Sequence, residues 1–129
     1  MNKRISYSIL AALFLTAACV SMQHGMIRAS EIEDAVGFVV ERHDGYVDAS
    51  ATMTPAEKEH AFRQSAHLLG TVLTADKYLK ADTIKAALLD VCVRHDTYVT
   101  NDDSLKDVQR SVYLMNSREL VKLIKEATK

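Results

Sequence analysis

Arg42-His43-Asp44-Gly45-Tyr46-Val47 returns, nearly letter for letter, as Arg94-His95-Asp96-Thr97-Tyr98-Val99. A histidine beside an aspartate is the raw material of general-base catalysis, in which the carboxylate orients the ring and the ring takes a proton. Histidine is also a common zinc ligand, and zinc needs three or four converging nitrogen, sulfur or oxygen donors. Antiparallel pairing of the first two predicted helices brings His43 roughly opposite His60, with His67 two turns further along. These three are the weak metal candidates. The second copy has Val112 and Glu119 where the first has His60 and His67, and no Cys pair, HExxH or comparable ligand spacing is present. No nucleophile motif stands out, and Gly37, Gly45 and Gly70 are isolated rather than gathered into a phosphate loop. The sequence therefore leads us to expect no enzyme, no cofactor and no metal site, with a hydrolase using His43 or His95 the least favoured reading.

The elements that must position these residues are legible in the repeat itself. Sliding the chain against itself by 52 positions aligns residues 30–75 with 82–127 without a gap, and eleven pairs are identical, from Ile32/Ile84 to Ala75/Ala127. Ordinary residue usage would give about three. In the first copy most of the shared residues step by three and four: 32, 35, 39, 42 (beside 43) and 46, then 65, 68 and 75, with the conservative pair Val72/Ile124 between them. Such steps place them on one face of a helix. Helix-start signals accompany them. Ser30 with Glu33 reads as a capping box, Asp82 as the matching N-cap, Thr54-Pro55-Ala56-Glu57 as the strongest start, and Ser104 with Asp107 as the last. The reading is helix over 30–47, 55–74, 82–99 and 105–127, with no alternation that signals a strand. The expected fold is an all-α antiparallel four-helix bundle built from two tandem helical-hairpin repeats, about 30–75 and 82–127. The third helix, apolar almost all round at residues 86–93, should be buried on more than one side.

On such helices His43 and His95 lie on the packing stripe while Asp44 and Asp96 point about 100° away. Adjacent residues on that count do not orient one another. The repeat motif (Arg42, His43, Asp44 and Tyr46; Arg94, His95, Asp96 and Tyr98) is then expected to be structural. Tyr46 and Tyr98 should pack their rings, Arg42 and Arg94 pair with carboxylates, and the imidazoles bond across helices. Ser65 and Ser117 are read as small residues permitting close approach, and the acidic turn at 101–104 with the charges at Lys106, Asp107, Arg110 and Arg118 as a solvated face.

The first residues differ in kind. After Met-Asn-Lys-Arg the chain runs uncharged from Ile5 to Met22, the three-part pattern of an export signal. Its strongly apolar part, residues 9–18, is shorter than the roughly 20 residues a bilayer requires. The run ends Leu15-Thr16-Ala17-Ala18-Cys19, which resembles the lipobox of bacterial lipoproteins, departing from it at Thr16, where Leu is commoner. The resemblance implies cleavage before Cys19 and acylation of that thiol, and it covers the leader alone. The organisation is then a signal peptide at 1–18, a tether at 19–29 and a helical domain at 30–129. Acylation of Cys19 leaves Cys92 as a lone, apolar-flanked thiol that acts as a small hydrophobe. Loss of Lys3 and Arg4 leaves fourteen cations against seventeen acids, a formal charge of −3. With no basic stripe and 6% aromatics, no nucleic-acid partner is expected. The function expected from this set is an exported, lipid-anchored protein that binds an unidentified protein partner at a cell or outer membrane, as an adaptor or inhibitor. Phage-type proteins that block a second infection are the analogy in size and address. The alternative is a periplasmic or secreted ligand- or metal-binding helical protein.

Overall fold

The computed structural model describes residues 25–129. Its elements in chain order are β1 (Met26–Arg28), α1 (Ala29–Ala49), α2 (Pro55–Thr74), β2 (Tyr78–Lys80), a 3-10 turn at Ala81–Thr83, α3 (Lys85–Asn101) and α4 (Asp107–Ala127). The fold is a mostly helical four-helix bundle with a two-stranded antiparallel ribbon. α1 packs on α2, α3 and α4, and α3 packs on α1, α2 and α4, so these two form the inner pair. Among the described residues no helix is long and apolar enough to cross a membrane.

Helix α2 starts where its sequence says. The Thr54 hydroxyl accepts from the Glu57 N–H at 3.1 Å, the Glu57 carboxylate accepts from the Thr54 N–H at 2.9 Å, and Pro55 opens the helix. The other three expected caps are not formed. Arg28, fixed in extended geometry by β1, is the N-cap of α1 in place of Ser30, and the Ala29 N–H bonds the Lys77 carbonyl instead of a side chain. Asp82 is taken into the 3-10 turn, so α3 begins from Ile84. Ser104 turns back to Asp102, donating to its Oδ1 from both backbone and hydroxyl, and α4 begins after Lys106, whose N–H is accepted by Gln109. Arg110 is not simply part of a solvated face. Half-buried, it donates to the carbonyls of Val99 at 2.6 Å and Asp102 at 2.9 Å, closing the end of α3.

The ribbon was not anticipated, because three-residue strands are too short for alternation to register. Ile27 faces Leu79 across it, and both are buried in the same apolar core as Ile32, Leu68, Leu88 and Leu120. Gly25, at φ +85°, takes a backbone conformation that favours glycine while its N–H bonds the Ala127 carbonyl and its carbonyl accepts from Ala81. The end of the stretch read as a tether, 19–29, is thus part of the folded domain. Helix α3 also differs in detail from its reading: Leu88, Val91 and Cys92 are buried, yet Val93 is 67% exposed. Ile27→Ala should lower the unfolding free energy by about 2–5 kcal/mol, as for other fully buried aliphatic truncations, measured by urea denaturation; a tether residue would leave it unchanged.

Candidate functional site

The two repeated hexapeptides meet where α1 crosses α3. His43 and His95 have no exposed surface. Arg94 of α3 reaches His43 of α1, with its Nη1 2.9 Å from the ring Nε2, and Arg42 of α1 reciprocates, with its Nε donating to His95 Nε2 at 3.1 Å. Behind each ring stands its neighbour in sequence: His43 Nδ1 lies 2.9 Å from Asp44 Oδ1, and His95 Nδ1 lies 2.8 Å from Asp96 Oδ1. A serine from the outer helix completes each chain. Ser65 Oγ donates to Asp44 Oδ1 at 2.7 Å, and Ser117 Oγ donates to Asp96 Oδ1 through a short bond.

Chemistry fixes the proton positions. A guanidinium can only donate, so each Nε2 must offer its lone pair and each imidazole must be neutral, with its proton on Nδ1 directed at the aspartate. Burial is the main force holding both imidazoles below their ordinary pKa of 6.5. The hydrogen bond from each ring to its own aspartate opposes this, while Arg94 and His95 reinforce it at His43, and Arg42 reinforces it at His95. The result is two relayed ion pairs, Arg94–His43–Asp44 and Arg42–His95–Asp96, in which a neutral ring separates the charges.

This corrects two expectations. Asp44 and Asp96 do orient their neighbouring rings, although the Cα–Cβ directions diverge by about 100°; the side chains are long enough to swing together, and Ser65 and Ser117 hold the carboxylates in place. The arginines, expected to meet carboxylates, bond imidazoles instead. The tyrosines behave as expected: Tyr46 and Tyr98 stack with centroids 5.3 Å apart and planes 8° from parallel. Tyr46 also donates to Asp102 Oδ2 at 2.8 Å. Ser104 foremost, and Tyr46 after it, hold the Asp102 carboxyl below its usual range, while burial first and Asp102 second push the Tyr46 phenol up.

The weak metal candidates do not converge. His43 is committed to Arg94 and Asp44, His60 is exposed on α2, and His67 donates from Nε2 to the Thr83 carbonyl at 2.9 Å. Among the described residues no group of three or more His, Cys, Asp or Glu side chains could hold a metal ion. Cys92 is buried, which pushes its thiol up to about 12. Cys19 lies outside the described residues. Neither imidazole offers a free nitrogen, and the serines face carboxylates rather than rings, so this constellation fixes protons in place and has no base aimed at a substrate.

No family model, curated protein or solved structure matches the chain. Its site must therefore be read from its own residues. Three that sequence reasoning passed over, and Asp102, which it read as part of a solvated turn, matter here. Gln64 of α2 bridges α3, accepting from Arg94 Nη2 at 2.9 Å and donating to Asp90 Oδ2 at 2.6 Å. Tyr113 of α4 lies under the Arg42 guanidinium, 4.0 Å from its ring centroid. Asn116, 52 positions after Gln64 and one methylene shorter, is fully buried, and neither of its amide atoms has a hydrogen-bond partner among the described residues. Asp102 is the acceptor for Tyr46. Ser65 and Ser117, read from the sequence as small residues permitting close approach, also have a polar role, since both hydroxyls donate to the aspartates.

Two consequences are measurable. Below pH 6.5 the unfolded chain, with ordinary imidazoles, binds more protons than the folded chain with its depressed ones. Stability should be level above pH 6.5 and fall as pH drops below it, with a slope approaching two protons per molecule. Urea midpoints that stay flat from pH 8 to pH 5 would contradict neutral, Arg-locked histidines. Asn116→Leu, which keeps the branching at Cγ and removes two unpartnered amide atoms, should raise the unfolding free energy by about 1 kcal/mol or more, read from the same denaturation curves.

Proposed function

We propose that this chain is an exported, lipid-anchored helical protein that binds a protein partner at the membrane, acting as an adaptor or inhibitor rather than as an enzyme. The observation that carries the reading is the leader: two cations, an uncharged run to Met22, and Leu15-Thr16-Ala17-Ala18-Cys19 at its end. The fold supplies a supporting constraint. Strand β1 starts at Met26, seven residues beyond Cys19, so even a fully extended connection spans at most about 25 Å. A diacylated Cys19 would hold the bundle close to the headgroups, and two acyl chains suffice for stable anchoring. Confinement to a membrane raises the effective concentration of a binding module toward a partner in the same plane.

The bundle itself we read as two tandem copies of one helical hairpin, about 30–75 and 82–127. Contacts at a constant spacing of 52 support this: Ser65–Asp44 with Ser117–Asp96, Arg42–His95 with Arg94–His43, and Tyr46 stacked on Tyr98. Such a scaffold is rigid at its centre and free to vary at its surface, which suits recognition of a protein.

The anchor is tested with Cys19→Ala in a bacterial host. The wild-type chain should fractionate with membranes and carry the mass of a diacylglyceryl-modified Cys19, and the variant should lose both. Unchanged mass together with unchanged fractionation would overturn the anchor. A pull-down from membrane extracts comparing the two forms tests the partner separately.

A further inference from the structure

The anchor proposed above limits how far the bundle can stray from a bilayer but leaves its orientation open. The ribbon supplies one. Its strands pair Met26 with Lys80, Ile27 with Leu79 and Arg28 with Tyr78. Successive side chains of a strand point to opposite faces, and burial sorts these six accordingly. Ile27 and Leu79 enter the core, whereas Arg28, Tyr78 and Lys80 are exposed and Met26 is half-buried. The outer face therefore carries two cations, a phenol and a thioether, with no carboxylate. Its ring is bracketed by positive charge. Arg28 Nη2 donates to the Tyr78 hydroxyl at 3.1 Å, and the Arg28 guanidinium carbon and the Lys77 ammonium lie 5.5 and 5.7 Å from the ring centroid. The ion pairs found among the described residues use neither Lys77 nor Lys80. Asp76 and Asp82, the acids nearest in sequence to β2, stand outside the strands.

We propose that this outer face lies against anionic phospholipid headgroups of the membrane that holds the anchor, with Arg28 and Lys80 on lipid phosphates and the Tyr78 ring at headgroup depth. Position favours it. The ribbon starts seven residues after Cys19, so a connection of at most about 25 Å keeps the face within reach of the surface. Chemistry favours it too. Tyrosine with flanking Lys and Arg is the composition that settles at a membrane–water interface, and anionic leaflets attract basic residues close to them. A face of four side chains would hold a free bilayer weakly. Tethering makes the contact intramolecular, so a weak preference is enough to set which way the bundle points. The far end disfavours the reverse orientation, because the turn from α3 to α4 carries Asp102, Asp103 and Asp107 against one cation, Lys106. The inference rests on the anchor reading above and adds to it the orientation of the domain and the class of lipid it meets.

The chain contains no tryptophan, which makes single reporters available. Tyr78→Trp, an aromatic exchange at a 43%-exposed position, puts one on the face, and Val108→Trp, at a 57%-exposed position, puts one at the far end. Ala127 bonds Gly25 beside the ribbon, and Val108 lies nineteen residues before Ala127 on α4, about 28 Å at the helix rise. Each full chain is made in a bacterial host and reconstituted into phosphatidylcholine vesicles containing about one-third phosphatidylglycerol, with a spin label on the headgroups. Emission from Tyr78→Trp should be quenched about threefold more strongly than emission from Val108→Trp. The difference should fall by about half or more in phosphatidylcholine alone, and likewise when Lys80→Glu, at an exposed position, is added to Tyr78→Trp. Equal quenching at the two positions of vesicle-bound protein would overturn the face and leave the anchor. Quenching indifferent to both phosphatidylglycerol and Lys80→Glu would also overturn it. If Cys19→Ala keeps the full pattern, the face stands and the lipid on Cys19 falls. A chain that neither carries the lipid mass nor binds the vesicles removes both.

Discussion

A guanidinium facing a neutral imidazole, twice and in opposite directions, is the constraint around which the bundle is arranged. An apolar stripe along α1 and α3 fixes which faces meet, but stripes of similar aliphatic residues allow sliding by a helical turn. The Arg42–His95 and Arg94–His43 bonds do not. Each is directional, and because each helix supplies one donor and one acceptor, a slip that breaks one breaks both. The aspartates then have to be where they are, since a ring that gives its Nε2 lone pair to arginine must place its Nδ1 proton somewhere. The serines of α2 and α4 extend the same logic to the outer helices. Thus a network of eight side chains, four types used twice, ties all four helices to one register.

Why an imidazole should stand between the charges follows from their depth. Direct Arg–carboxylate contact would bring two ions fully out of water, with a desolvation cost that attraction does not reliably offset. Here Asp44 and Asp96 keep 40% and 31% of their side-chain surface in water while the rings carry the interaction inward. The histidines are the only wholly buried members of each chain besides the serines, and in their neutral form they are also the least costly to bury. The price is sensitivity to acid, because a second ring proton would point straight at arginine.

How much of this could be read beforehand depends on scale. The four helices, the stacking of Tyr46 on Tyr98 and the capping box at Thr54 follow from spacing and residue type, because a run of twenty residues averages over local accidents. Boundaries set by tertiary contact did not follow: Ser30 and Asp82 have good capping chemistry, but the ribbon and the 3-10 turn had already fixed the backbone there. The ribbon itself was illegible, being held by Gly25, Lys77 and Ala127 from three distant places in the chain. The His–Asp geometry was misread for a simpler reason. Angular position on a helical wheel describes where Cβ points, and it says little about polar atoms two or three bonds further out. The leader, whose reading concerns Cys19, lies outside the described residues.

The differences between the two halves carry information that their similarity does not. Exchanging Phe38 for Asp90, Glu41 for Val93, Tyr113 for Ala61 and Asn116 for Gln64 leaves the relay intact and changes only what surrounds it. On the α1/α4 side Tyr113 lies under the Arg42 guanidinium; on the α2/α3 side Gln64 bonds both Arg94 and Asp90. Position along the bundle matters as well. The ribbon lies near the first residues of α1 and α3, whereas Arg94 is nine residues along α3, about 14 Å at the rise of an α-helix. Under the proposed anchor at Cys19, the ribbon end is the end that follows the leader, and the buried relay lies further along the bundle.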